Sequence, residues 1–369
     1  MERRREIVEA FLKAEKLLTP RALSFLEKTK DYRAFLKVMT EKLVLDIEDF
    51  ATFETQVDRV KILLNITSLP TQLEVRDFAR FYRDRYEKLR DIIVKRIEGD
   101  YISIDKLGGE EKLLVVMVRE IREQNDKVLL EVEDLTGKCS VLVDKETAKE
   151  VERDDVIAIR CRKFGDLAYA TVIMYPDVPI RKPKTGRGKL LIVSDLHLDE
   201  APIEQARKLV SWFINSDVKF LLIAGDIGDL KALESLLSDV PREKTVFFIP
   251  GEIDDKRYPA PPMETRNSVL VPLSNPAMLD INGVKILLIH NFKLSYLRKR
   301  YLGRPNVFLK EAKLVLSEVP DIIACGHTHE PDVMNFKAIT IANAGSLLTE
   351  FKPVLIDLFT RDYRIVKLS

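Results

Sequence analysis

KLLIVSDLH, residues 189–197, is an apolar run of strand character that stops on a carboxylate and an imidazole, Asp195 and His197. Four further runs stop in the same way. FLLIAGD (220–226) ends on Asp226, TVFFIPGE (245–252) on Glu252, VKILLIH (284–290) on His290, and DIIACGHTH (321–329) on His327 and His329. The chain has four histidines in all, and each closes one of these runs. In a parallel sheet, ligands gather outside the carboxyl ends of the strands, so the pattern predicts one site built from five loops. Imidazole nitrogen with carboxylate oxygen is a donor set for borderline divalent ions such as Mn, Zn or Fe.

From Lys189 onward strands alternate with helices, one opened by Pro202 and another around KALESLLSD (231–239). KAITIANAG (337–345), PVLIDLF (353–359) and YRIVKLS (363–369) follow as later strands. This alternation predicts an α/β domain over 189–369. Hydrolysing a phosphodiester near neutral pH needs a nucleophile stronger than water and compensation of charge on the phosphoryl oxygens. Two metal ions about 3.5–4 Å apart supply both, and the order DLH, GD, PGE, H, GHTH offers a bridging carboxylate with separate ligands on either side.

At 369 residues the chain has room for two or three domains with sizeable cores. No apolar stretch reaches membrane-spanning length, and the charged start MERRREIVEAF lacks the apolar middle of a signal peptide. A cytoplasmic protein with no membrane partner is expected. Cys139, Cys161 and Cys325 show no CxxC spacing and are expected to be reduced, mostly buried thiols. Net charge is only +1, so any nucleic-acid contact must come from local patches.

The first glycine is Gly99, and residues 1–98 contain only two prolines, Pro20 and Pro70. A helical N-terminal region over 1–98 is therefore expected. Within it Phe78, Tyr82, Leu89, Ile92, Ile93 and Ile97 recur at roughly helical spacing, and Arg76, Arg80, Arg83, Arg85, Lys88, Arg90, Lys95 and Arg96 are expected on a solvated face. Past Gly99 the period shortens. EKLLVVMVREI (111–121), KVLLEVE (127–133), CSVLV (139–143), DVIAIRCR (155–162) and AYATVIM (168–174) are five β-rich runs, with a turn at DLTGK (134–138) and a short helical insert near ETAKEV (146–151). They predict an all-β OB-type barrel over 99–178. Phe164 and Tyr169 are the only aromatics in those strands and their loops, which favours a packing module over a strand-binding one. A basic linker, 179–188, would then join the barrel to the α/β sandwich.

The ordered ligand set makes 189–369 similar to calcineurin-like metallophosphoesterases. FYRDRYEKLRDII (81–93), DLTGK, MYPDVPI (174–180), YPAPP (258–262) and LSNPAML (273–279) extend the likeness, so that from about residue 76 onward the chain resembles small subunits of archaeal family D DNA polymerase. The resemblance implies Asp195, His197 and His329 on one divalent ion, His290 and His327 on a second, and Asp226 between them, with Mn expected and Zn or Fe as alternatives. It implies a large polymerase subunit as partner, DNA bound mainly in that complex as a single strand or primer end, and 3′–5′ exonuclease activity in which Asp226 and His290 are catalytic. One departure stands out. Where that family has Pro-Gly-Asn-His, this chain has Pro250, Gly251, Glu252 and Ile253. Glu252 offers oxygen in place of the family's Asn ligand, but Ile253 cannot replace a histidine that steadies the leaving group. An impaired site, a catalytically inactive structural subunit, and a free-standing nucleotide phosphodiesterase all stay open. Asp254, Asp255 and Lys256 are expected to form a solvated charged loop, Asp229 to cap a helix, and Asn343 to serve a turn or the site.

Overall fold

The computed structural model describes residues 2–28, 32–37, 42–47, 58–97 and 99–368. They form two units, Met1–Arg59 and Val60–Ser369. In the first, helices α1 (Glu2–Lys13) and α2 (Pro20–Lys28) enclose Ile7, Phe11, Ala22 and Leu26, and the two-residue strands β1 (Leu17–Leu18) and β2 (Val44–Leu45) pair in parallel. Residues 48–57 of the expected helical region lie outside the described residues.

The second unit opens with a correction. Val60–Leu64, inside the stretch expected to be helical, is a strand, β3. Lack of glycine permits a helix but does not require one, and VKILL suits a pleated surface just as well. Helix α3 (Val75–Val94) follows, with Glu74 N donating to Asp77 Oδ2 at 3.0 Å across its first turn. Its buried face is Phe81, Arg85, Tyr86, Leu89 and Ile93, so the stripe read from the sequence is rotated and Arg85 leaves the solvated face. The Arg85 guanidinium lies 3.7 Å from the centre of the Tyr301 ring, which provides a π face where water is excluded.

After β4 (Tyr101–Ile102), strands β5 (Lys112–Gln124), β6 (Lys127–Glu133), β7 (Lys138–Asp144), β8 (Val156–Phe164) and β9 (Leu167–Met174) pair in the order β5-β6-β7-β9-β8, and β8 returns to β5. The result is a closed five-stranded barrel with α4 (Lys145–Ala148) between its third and fourth strands. Leu114, Val116, Leu130, Val141, Ile157 and Ile159 fill the interior.

The remaining strands form two six-stranded sheets. One holds β10 (Lys189–Val193), β11 (Phe220–Ala224), β12 (Thr245–Ile249), β13 (Leu270–Pro272), β19 (Val354–Asp357) and β20 (Tyr363–Ile365), ordered β13-β12-β11-β10-β19-β20, with β10 to β13 parallel. The other holds β14 (Ala277–Ile281), β15 (Val284–Leu288), β16 (Ile322–Cys325), β17 (Asp332–Phe336) and β18 (Ile339–Asn343), ordered β17-β18-β16-β15-β14-β3. Alternation decides which way each side chain faces. Leu190 and Ile192 meet Ile286 and Leu288 between the sheets, while Leu191 and Val193 face helices α5 (Ile203–Asn215) and α6 (Leu230–Leu236). Leu287 and Ile289 point the opposite way, into a core shared with Phe81 and Leu89 of α3 and with Val115 and Ala158 of the barrel. The barrel and the sandwich therefore have one continuous apolar seam.

A charged strip borders that seam. The barrel loop carries Glu150, Glu152, Asp154 and Asp155, which meet Arg298 and Lys299 of α7 (Leu294–Lys299) and Arg304 beyond it. Lys299 Nζ lies 2.9 Å from Asp155 Oδ2, and both side chains are nearly buried. Burial raises the Asp155 pKa against the pull of Lys299. Deleting one partner strands the other's charge, so Lys299→Met is expected to cost about 3–5 kcal/mol in urea unfolding. Pairing it with Asp155→Leu should recover most of that loss.

Candidate metal centre

All five ligand-bearing loops leave the carboxyl ends of parallel strands, β10, β11, β12, β15 and β16, and converge on one edge of the sandwich. The loops are sewn to each other through backbone hydrogen bonds. Asp195 N donates to Gly225 O at 3.0 Å, His197 N to Asp226 O at 3.0 Å, and Gly326 N to His290 O at 2.9 Å. Asp195, His197, Asp226, His327 and His329 all have positive φ, between 44° and 74°. Left-handed backbone at five non-glycine positions is strained, and such strain concentrates at functional sites.

Asp195, His197, Asp226 and His329 present ligand atoms that all lie within 4.8 Å of one another. His197 Nε2 faces His329 Nε2 at 3.1 Å, His329 Nε2 lies 3.4 Å from Asp195 Oδ1, and His197 Nε2 lies 3.9 Å from Asp226 Oδ2. His290, His327 and Glu252 fall outside that compact group. They form a looser second side: His290 Nε2 is 3.2 Å from Asp226 Oδ2, the His290 and His327 rings are 5.5 Å apart, and His327 Nδ1 is 3.6 Å from Glu252 Oε2. Asp226 belongs to both sides. Glu252 is exposed and accepts from Asn291 Nδ2 at 3.2 Å.

The donor set fits divalent cations on two observations. His290 is fully buried, its Nδ1 is 2.8 Å from the Ala224 carbonyl, and its Nε2 makes no satisfactory hydrogen bond. With Nδ1–H donating to that carbonyl, Nε2 is left with a lone pair, the arrangement of a metal-ligating histidine held by its other nitrogen. The Nε2 atoms of His197 and His329 face each other at 3.1 Å, close enough for one shared proton or for a common cation to hold them together. Charge is distributed unevenly around this point. Burial raises the Asp195 pKa; burial also pushes on Asp226, but the neighbouring His290 holds Asp226 lowered. Burial opposes the imidazolium of His290, yet Asp226 and Asp195 raise its pKa overall.

Several neighbours carry roles the sequence did not reveal. Asp254 is no solvated charge. Its Oδ2 accepts from Ile227 N at 3.0 Å and Gly251 N at 2.8 Å, and its Oδ1 accepts from Gly228 N at 3.0 Å, which ties the β11 and β12 loops together. Asn343 donates to Gly326 O at 3.2 Å and Thr328 Oγ1 at 2.9 Å while accepting from Gly345 N, so it serves the turn and braces the GHTH loop. Asn275 Oδ1 accepts from His290 N at 3.3 Å. Asp229 caps α6 as expected, accepting from Lys231 N and Ala232 N. Gly251 approaches so closely that a Cβ would lie 2.2 Å from Asp226 N. A cavity of about 490 Å³ opens beside Glu252 and Asn291, walled by Tyr258, Tyr296 and Asn306. Cys161 and Cys325 are buried free thiols whose pKa burial pushes up to about 12; Cys139 is half-buried.

Asp254→Ala removes the acceptor of three backbone N–H groups and is expected to destabilise the unit by about 1–3 kcal/mol. Amide exchange at Ile227, Gly228 and Gly251 should accelerate before that at the sheet cores.

The family model of the calcineurin-like phosphoesterase superfamily domain matches residues 189–356. The DNA polymerase II small subunit of Methanothermobacter thermautotrophicus is 27% identical, covering 77% of this chain and 76% of its own. That of Archaeoglobus fulgidus is 28% identical over 79% and 75%, and that of Pyrococcus furiosus 27% identical over 77% and 60%. Among solved structures, a single mutant of Vps29 from Entamoeba histolytica aligns over 48% of this chain and 89% of its own at 18% identity and a TM-score of 0.32. No helix among the described residues is long and apolar enough to cross a membrane. Residues 189–356 thus match the calcineurin-like phosphoesterase superfamily domain, within a chain that resembles DNA polymerase II small subunits over three quarters of its length.

Proposed function

We propose that this chain is a small subunit that supports a large DNA polymerase subunit and carries a two-metal phosphodiesterase site of 3′–5′ exonuclease type, weakened at Glu252 and Ile253. The observation that carries the reading is Asp226, whose Oδ2 lies 3.2 Å from His290 Nε2 and 3.9 Å from His197 Nε2, between two histidine groups. Asp195, His197 and His329 would hold one ion, His290, His327 and Glu252 the other, and Asp226 would bridge. Bound divalent ions, Mn foremost, would supply an activated water and a clamp on the phosphoryl oxygens. The chain's own residues orient the reaction. Ala224 O fixes the His290 ring, Asp254 and Ile253 N hold the Asp226 loop in place, and Asn291 aims Glu252 toward the cavity mouth. The strand order of the barrel, first-second-third-fifth-fourth and back to the first, supports its assignment to the OB type. Barrel and sandwich, joined by one core, make a rigid platform of the kind a large subunit could dock against.

Ile253 is half-exposed beside the site and has no proton to give. A missing donor commonly costs 10²–10⁴ in rate, about 3–5 kcal/mol of barrier. This favours a structural subunit with a slow site as the second reading.

Metal analysis of dialysed protein should find about two ions per chain for the native sequence. Fewer than one, unchanged by Asp226→Ala, would refute the ligand set. The double change Glu252→Asn with Ile253→His should raise Mn-dependent cleavage of single-stranded DNA at least about tenfold. A native chain that is already a fast nuclease would show that these two positions do not limit the site. Co-purification with a large polymerase subunit tests the platform.

A further inference from the structure

We propose that the cleft between helix α3 and the β6–β7 turn of the barrel is a docking groove for an acidic amphipathic helix supplied by another protein. Two stretches that the metal centre leaves unexplained meet there, FYRDRYEKLRDII on α3 and DLTGK at the turn. The groove has a volume of about 480 Å³. Met117 and Tyr86 are buried at its floor, whereas Val75 is 88%, Leu135 52% and Phe78 38% exposed along its walls. Exposed apolar side chains gathered around one groove mark an interaction site.

Both walls are built in advance of any partner. On α3, Val75, Phe78, Ala79 and Tyr82 follow the i, i+3, i+4, i+7 spacing that lines one face of a helix. Tyr86 continues that face and donates its hydroxyl to Val115 O at 2.9 Å, which fastens the helix to the barrel. Across the groove the Asp134 carboxylate accepts from Ile104 N at 2.8 Å, Thr136 N at 2.7 Å and Gly137 N at 3.0 Å. The turn is thereby held rigid, with Leu135 directed outward. Neither Val75 nor Leu135 packs into the shared core or the barrel interior. A groove with fixed walls spares a ligand the cost of ordering them.

Charge selects the occupant. Arg76, Arg80 and Arg83 recur at i, i+4 and i+7, so they flank the apolar stripe along α3. Arg76 meets Glu74 at 2.8 Å and Arg80 reaches Glu311 at 3.9 Å, both in exposed pairs. Among the described residues Arg83 has no carboxylate within ion-pair reach. The acids of the opposite wall are already engaged: Glu133 pairs with Arg119 at 3.3 Å, and Asp134 is committed to its turn. A helix with an apolar stripe fills the groove, and carboxylates on its α3 side answer the three arginines. A nucleic-acid strand fits less well, since its phosphates would face Glu133 and Asp134 while Val75 and Leu135 offer no ring for a base to stack on. A second copy docked about a two-fold axis would set the same arginines against each other.

The probe is a fluorescein-labelled peptide of about 18 residues with leucines at i, i+3, i+4 and i+7 spacing and glutamates between them. Its anisotropy is read against the full chain with EDTA present, so that the phosphodiesterase reading can fail without affecting this one. One control peptide carries lysine for every glutamate; the other keeps the composition and scrambles the leucine spacing. The native chain is expected to bind the acidic peptide with a Kd below about 100 μM, at least about tenfold more tightly than either control. Val75→Ser combined with Leu135→Ser should weaken that binding at least about tenfold. Arg83→Glu should narrow the preference over the lysine peptide at least about threefold. All three side chains are exposed, so unchanged melting would verify folding. The proposal is overturned if the native chain does not bind the acidic peptide, if either control binds as well, or if the double variant binds undiminished. A dimer in sedimentation that the double variant dissolves would assign the groove to a second copy, and displacement of the peptide by oligothymidylate would assign it to nucleic acid. Either result also overturns the proposal.

Discussion

Everything in the second unit depends on two six-stranded sheets excluding water from the space between them. Leu190, Ile192, Leu222, Ala224, Ile249, Ile286, Leu288, Ile322 and Ala324 are all fully buried there. Each large side chain among them is worth about 1.5–3 kcal/mol on burial, and together they fix the angle and offset of the sheets. That packing brings five strand ends to one edge, although the residues they carry are spread over 135 positions from Asp195 to His329. Without it, the carboxylates and imidazoles would have no reason to approach each other.

The electrostatics of the site run against that packing. Asp195 and His290 have no exposed surface at all, and Asp226 and His197 very little. Burying such groups costs several kcal/mol unless something compensates. Part of the compensation comes from backbone amides: His327 N donates to both oxygens of Asp195, at 3.0 and 3.1 Å, and Ile253 N donates to Asp226 Oδ1 at 3.1 Å. The remainder is the unfilled demand of His290 Nε2, which a cation would meet. The outer side of the centre, with exposed Glu252 and Ile253, is built more loosely than the inner one. A tight first side with a loose second side is the structural counterpart of the departure at those two positions.

The residues of the candidate site were legible in the sequence because their signal is local. Each ligand follows its strand by a few residues, so recognising KLLIV, FLLIA, TVFFI, VKILL and IIAC as strands also located the chemistry. The five barrel strands and the cap at Asp229 were legible for the same reason. What escaped was settled across long sequence separations. Val60–Leu64 becomes a strand because β14 needs a neighbour; Arg85 is buried because Tyr301 offers a ring; Asp254 turns inward because three amides of other loops converge on it. Helical spacing gave α3 its length but not its buried face, since Phe78 and Phe81 fit the period equally well and only the barrel wall chooses between them. The clamp of Asn343 on the GHTH loop had only the pattern ANAGS as a clue, which any polar turn would share.

The pairing of β3 with β14 also bears on how the chain is made. Met278 pairs with Leu64, so more than two hundred residues must leave the ribosome after the strand before its partner exists. At synthesis rates of 5–20 residues per second, that is a wait of about 10–40 s. During this time VKILL is an unpaired apolar strand, the kind of segment that invites pairing with another chain. The end of the chain's first sixth thus closes a sheet whose other strands are all drawn from its last quarter.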